Sequence, residues 1–253
     1  MKKNKLLITS ALFSSLLLTG CLESESNDTT VNYSGSTSQA TIDNNTSADL
    51  AKAAIYGILA SEESATVMSA LQSSDPCTTG GSVTPGINLD SSIDFTFSNC
   101  NLGTGKILNG VVGVTGDIAS GSFIAQLTDF TLTDSNTGDI DTLENISLSS
   151  VSGSYNMAAD FTGADGKIYR LDNFILSKTS GSFIITGSIY HPAHGYAVIA
   201  TTTSITFGTC PNGDIPDGGV ITLTGAASSS AIVTYTCSSI SLDTGLTTTT
   251  ANW

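Results

Sequence analysis

Tyr155-Asn156-Met157-Ala158-Ala159-Asp160-Phe161, followed by Gly163-Ala164-Asp165-Gly166 and the run from Ile168 to Leu176, decides the fold class of this chain. Successive side chains of an extended strand point to opposite faces, so Tyr155, Met157, Ala159 and Phe161 line one apolar face while Asn156, Ala158 and Asp160 line the other. The short Gly- and Asp-containing interval has the length and composition of a hairpin connection. The same alternation occurs earlier, where Ile93, Phe95 and Phe97 interleave with Asp94, Thr96 and Ser98. Further β-rich segments lie around 107–115, 122–133, 143–150, 182–190, 196–207, 219–225 and 230–241, separated by short turns. Long helices of the kind that parallel crossovers need are missing from this region. The pattern predicts a mainly β fold, an antiparallel meander forming a curved sheet or partly closed barrel.

Upstream, the stripe Leu50, Ala53, Ala54, Tyr56, Ile58 and Leu59 predicts a short N-terminal helical segment, capped near Ser47 or Asp49. Gly57 weakens it, and Ser61 or Glu62 is a natural break before a second turn or helix through Val67, Met68 and Leu71, with Met68 a packing residue. Residues 22–46 are rich in Ser, Thr, Asn and Asp and carry only isolated Val31, Tyr33 and Ile42, too little apolar surface to offset the entropy of ordering. They read as a flexible tether. The remainder, 47–253, is roughly 205 residues, enough for one sizeable core, and no linker of similar composition divides it. The last segment, Thr247 to Trp253, is either a frayed tail or a final edge strand, with Trp253 able to anchor on the sheet.

The chain begins with Lys2, Lys3 and Lys5, an apolar and small-residue run from Leu6 to Leu18, and then Leu18-Thr19-Gly20-Cys21. A basic start, a short apolar run and a small-residue site are the marks of an export signal, and the run is shorter than the roughly 20 residues of a spanning helix. Leu18 to Cys21 resembles the lipobox of bacterial lipoproteins. The resemblance implies that residues 1–20 are removed and that 21–46 form a lipidated tether. Cys21 would then carry a diacylglycerol and an amide-linked chain such as palmitate, which together hold a protein stably on a membrane. Leu22 after the cysteine, in place of Asp, implies sorting to the outer membrane, facing either the periplasm or the cell surface.

The other four cysteines are Cys77, Cys100, Cys210 and Cys237. An even number in an exported chain suggests disulfides, and four cysteines allow three pairings. The two local pairings are favoured, because Cys77 to Cys100 and Cys210 to Cys237 each enclose a Gly-rich turn and a two-strand excursion. Each such crosslink constrains the unfolded chain by about 3 to 4 kcal/mol. Their likeness hints at a weak internal duplication. A four-cysteine zinc site lacks the close pairs it needs.

The chain has 22 acidic and 8 basic residues, a formal charge of −14, and loss of the three leader lysines takes it to −17. That charge opposes nucleic acids and anionic lipid surfaces, so no nucleic-acid partner is expected. It attracts cations, although dispersed acids also simply keep a Thr- and Ser-rich sheet soluble. The loop Asp134-Ser135-Asn136-Thr137-Gly138-Asp139-Ile140-Asp141, with Glu144 nearby, offers hard oxygens for Ca2+ from Asp134, Asn136, Asp139, Asp141 and Glu144. It departs from the EF-hand spacing, and an ordinary Asn/Asp/Gly turn is the simpler reading. His191-Pro192-Ala193-His194-Gly195 places two histidines close together, but H-x-x-H fixes no ligand geometry, and an exposed turn is the simpler reading here too. No cofactor is called for by any motif, and no H-E-x-x-H or G-x-S-x-G sequence is present. The expected function is therefore that of a non-enzymatic envelope lipoprotein, membrane-bound through Cys21, with a structural or protein-binding role. A carrier of an apolar ligand is the alternative, and a carbohydrate-active enzyme comes third.

Overall fold

The structure is a computed structural model that describes residues 33–88, 92–118, 122–136, 138, 140–143, 146–151, 154–163, 165–179 and 181–253. One helix, α1 (Asn44–Leu71), precedes fourteen strands: β1 (Ser82–Ile87), β2 (Ile93–Asn101), β3 (Lys106–Asp117), β4 (Ser122–Asp134), β5 (Ile140–Leu143), β6 (Ile146–Val151), β7 (Ser154–Thr162), β8 (Ile168–Thr179), β9 (Ser182–His191), β10 (Gly195–Thr206), β11 (Gly218–Thr224), β12 (Ser230–Tyr235), β13 (Ile240–Asp243) and β14 (Thr248–Ala251). All belong to one antiparallel sheet in sequential order, except that β5 and β6 share the flank of β4. β6 pairs with Phe123 to Leu127 and β5 with Phe130 to Thr133. Among the described residues no ladder joins β1 to β14, so the meander is an open sheet and not a barrel.

The expected alternation sets the core. Phe183, Ile185 and Ile189 of β9 are buried while Ile184 and Thr186 face out, and Tyr169, Leu171, Phe174 and Leu176 of β8 point the same way inward. Register shifts interrupt the ladders, as between Asp172 and Ile175 of β8, where Asn173 adopts a positive φ of 48°. An extra residue on one strand bends it and increases its twist. The bent sheet curls around α1, which packs on β7, β8 and β9 and also on β12 and β13. From β12, the buried Tyr235 hydroxyl donates to the Ala51 carbonyl at 2.9 Å. From β8, Leu171 and Phe174 press on Gly57, where an added Cβ would lie 3.0 Å from the Leu171 side chain. Gly57, which weakens the helix locally, is what lets helix and sheet approach.

The helix is longer than the sequence suggested and unbroken. Asp43 is its cap, accepting the Thr46 amide at 2.8 Å, so Ser47 and Asp49 fall inside it. Ser61 does not end it, because its hydroxyl folds back onto the Gly57 carbonyl at 2.6 Å, as Ser64 does onto Ala60 at 2.8 Å. A hydroxyl satisfied within its own helix can be buried without a break.

Part of the segment whose composition reads as a tether is docked on the fold. From Tyr33 the chain is a docked strap: the Tyr33 amide donates to Asp160 Oδ2 at 2.8 Å, Ser36 N–H to the Pro192 carbonyl at 2.9 Å, and Ala40 N–H to the Tyr196 carbonyl at 2.8 Å. The Ala226 amide in turn donates to the Ala40 carbonyl at 2.7 Å. Most of this docking uses backbone groups, which a composition argument cannot see. Gly195 has φ +88°, and an added Cβ would sit 2.0 Å from the Ser38 carbonyl oxygen, so the strap's course demands glycine there.

Both local disulfides are formed, Cys77 to Cys100 and Cys210 to Cys237, the first enclosing β1 and the second enclosing β11 and β12. The C-terminus is an edge strand, β14, and Trp253 beyond it stacks on Tyr235 and donates its indole N–H to the Thr236 carbonyl at 2.8 Å. Among the described residues no helix is long and apolar enough to cross a membrane.

Candidate functional site

Polar side chains concentrate where the start of α1, the strap and the hairpins β7–β8 and β9–β10 meet. Asp49 lies in the second turn of α1, His191 ends β9, and His194 closes the three-residue turn before β10. His191 is 1% exposed, because Ile189 and His191 continue the inward face of β9. The exposed-turn reading of H-x-x-H therefore fails for its first histidine. The period-2 step from Ile189 to His191 was the signal that could have found it.

The two imidazoles stack with centroids 4.4 Å apart and planes at 23°. His194 Nε2 lies 2.8 Å from Asp49 Oδ2 and His191 Nε2 lies 4.0 Å from the same oxygen. One donor atom from each of the three residues falls within 4.8 Å of the others. The Ala193 amide donates to His191 Nδ1 at 3.1 Å, which places the proton of the neutral ring on Nε2. That Nε2 is buried and has no hydrogen-bond partner. Burial pushes the His191 pKa down to about 4, helped by His194 and Lys167 and opposed by Asp49 and Asp165, so the ring is neutral near pH 7. Asp49 and His194 remain partly open to solvent, which leaves one side of the cluster accessible.

Around this cluster the polar groups are saturated. Tyr169 packs its ring edge on His191 and donates its hydroxyl to Asp165 at 2.8 Å, while Lys167 Nζ sits 3.0 Å from the same carboxylate. Burial raises the Asp165 pKa, but the hydrogen bonds from Lys167 and Tyr169 outweigh it and hold the carboxyl below its ordinary range. Asp160 is the one buried carboxylate among the described residues, and Arg170 grips it at 2.7 and 2.9 Å with the Tyr33 amide as a third donor. The Arg170 guanidinium also lies over the Tyr33 ring, 5.0 Å from its centre. A carboxylate so fully engaged is poorly placed for general acid or base chemistry.

The acidic loop is arranged as a turn where it can be seen. Asp134 closes β4, accepting the Asn136 amide at 2.8 Å on one oxygen and facing Lys106 at 3.5 Å with the other. Asp141 lies on β5 opposite Leu132, and Asp139 and Glu144 lie outside the described residues. A cleft of about 340 Å³ between α1 and β8, lined by Glu62, Thr66, Ser69, Leu176 and Lys178, is open and bridged by the Lys178–Glu62 ion pair. Comparison with known proteins found no matching family, no similar curated protein and no similar solved structure.

Proposed function

We propose that this is a lipid-anchored protein of a bacterial envelope, held on the outer membrane through Cys21, whose β domain has a structural or protein-binding role. The observation that carries this reading is cysteine parity. Cys77, Cys100, Cys210 and Cys237 pair among themselves, which leaves Cys21, at the end of the lipobox-like Leu18-Thr19-Gly20-Cys21, without a cysteine in the chain to pair with. An odd cysteine beside an export signal is what acylation uses, and two disulfides suit an oxidising compartment. Binding is favoured over carriage of an apolar molecule because the concave side of the sheet is taken up by α1, with Leu50, Ile55, Ile58 and Met68 all buried in one continuous core.

The test is fractionation of cells producing the wild-type and Cys21→Ser chains, with mass spectrometry of the mature N-terminus. Wild type in the membrane fraction with an acylated Cys21, and the variant in the soluble fraction, is the expected result. A mature N-terminus elsewhere, or a variant that stays on the membrane, overturns the anchoring. Turnover of a substrate that disappears on substitution of Asp49 or His194 overturns the non-enzymatic role.

A further inference from the structure

We propose that Asp49, His191 and His194 bind a divalent transition-metal ion, Zn2+ in the simplest case, which joins the start of α1 to the β9–β10 hairpin. Two imidazoles and one carboxylate form a borderline donor set that suits Zn2+, Cu2+ or Ni2+ and not the all-oxygen preference of Ca2+ or Mg2+. Three protein ligands leave a fourth position, and the open side of the cluster, between the partly exposed Asp49 and His194, can admit water or an external ligand to it.

Two independent observations point to an ion. The first is convergence, since the three residues come from a helix, a strand end and a turn, and their donor atoms lie within 4.8 Å of one another. Donors around a tetrahedral zinc with bonds near 2.0 Å sit about 3.3 Å apart. His194 Nε2 and Asp49 Oδ2, at 2.8 Å, must open slightly, His191 Nε2, at 4.0 Å from Asp49, must close by less than about 1 Å, and the two stacked imidazoles must turn so that their lone pairs converge on the ion. The second is the buried, unpartnered Nε2 of His191, aimed at this cluster in a molecule where the neighbouring buried polar groups are satisfied.

The geometry also states what binding must change. An ion bonded to His191 Nε2 takes the lone pair where the neutral ring now carries its proton, and that proton moves to Nδ1. The ring stays neutral, but Nδ1 turns from acceptor to donor and can no longer accept the Ala193 amide. Ala193 is exposed, so its freed N–H can turn to water. The ion pair with Asp165 offsets the charge of Lys167, and the mature chain's excess of acidic residues favours the approach of a positive ion.

The experiment uses the full chain purified in detergent, stripped with a chelator, and titrated with Zn2+ against a chromophoric competitor. One ion per chain is expected, with Co2+ in its place giving visible absorption bands of low coordination number. Asp49→Asn and His194→Ala, both at partly exposed positions where the fold should persist, are expected to weaken binding by more than the roughly 10–100-fold that loss of a supporting hydrogen bond costs. Zn2+ should also shift the Ala193 amide resonance and speed its hydrogen exchange, an effect that ions scattered over acidic surface groups cannot produce. Absence of stoichiometric uptake, or uptake that survives both substitutions, overturns the proposal.

Discussion

Two polar clusters tie N-terminal elements to neighbouring hairpins of the sheet, β7–β8 and β9–β10, yet one is closed and the other is not. At Asp160, every oxygen has a donor: Arg170 supplies two and the Tyr33 amide a third. At Asp49, two histidines converge on one carboxylate oxygen, and the buried Nε2 of His191 has no partner. The first cluster is complete as protein and holds the strap. The second leaves a buried nitrogen that the proposed ion would engage. Burial of polar groups thus does not by itself single out a site here; the unmatched nitrogen among converging ligands is what distinguishes the second cluster.

The largest expected effect comes from breaking the closed cluster. Asp160→Ala leaves Arg170 without its carboxylate and the strap without its first anchor, and should cost about 3 kcal/mol, the low end for a broken buried pair because Arg170 keeps some solvent. Chemical denaturation checks it, and a loss below about 1 kcal/mol would mean that the clamp contributes little.

A smaller effect is expected with pH. Burial raises the Tyr33 pKa to about 12, against the lowering influence of Arg170, so the folded chain keeps the phenol proton after the unfolded chain has released it near pH 10. The unfolded state then binds fewer protons, and stability is full below pH 10 and falls as pH rises toward 12. The loss amounts to at most about 2 to 3 kcal/mol. Burial raises the pKa of Tyr56, Tyr169, Tyr190 and Tyr235 as well, so Tyr33→Phe should reduce the alkaline loss by Tyr33's share only, and an unchanged profile would exclude a contribution from Tyr33.

The smallest effect sharpens the contrast most. With chelator present, His194→Ala should cost less than about 1 kcal/mol, since the partly exposed His194–Asp49 pair is worth little without an ion. Equal losses for Asp160→Ala and His194→Ala in metal-free protein would show the second cluster to be as structural as the first.

The sheet was legible because its signal is local. Ile93, Phe95 and Phe97, and Met157, Ala159 and Phe161, carry the period of two within a few residues, and the strands they announce are present. The start of the helix was not, because Asp43 is one polar residue in a polar run and only its geometry makes it a cap. The strap was hidden for the same reason, its few apolar residues Tyr33, Ala40 and Ile42 being spaced apart and fixed through backbone bonds. As for sites, the acidic loop looked richer in ligands than H-x-x-H, yet the Asp134 oxygens are met by a turn amide and a lysine. Asp49 lies 142 residues before His191, and no pattern along the chain links them; only the curl of the sheet around α1 does.

The docking of the strap also sets a leash. Cys21 and Tyr33 are twelve residues apart, so with Cys21 acylated the first fixed point of the fold can stand no more than about 40 Å from the bilayer surface, even with the chain fully drawn out. In a chain so anchored, Tyr33, whose hydroxyl donates to the His191 carbonyl beside the histidine cluster, would be the point from which the fold hangs.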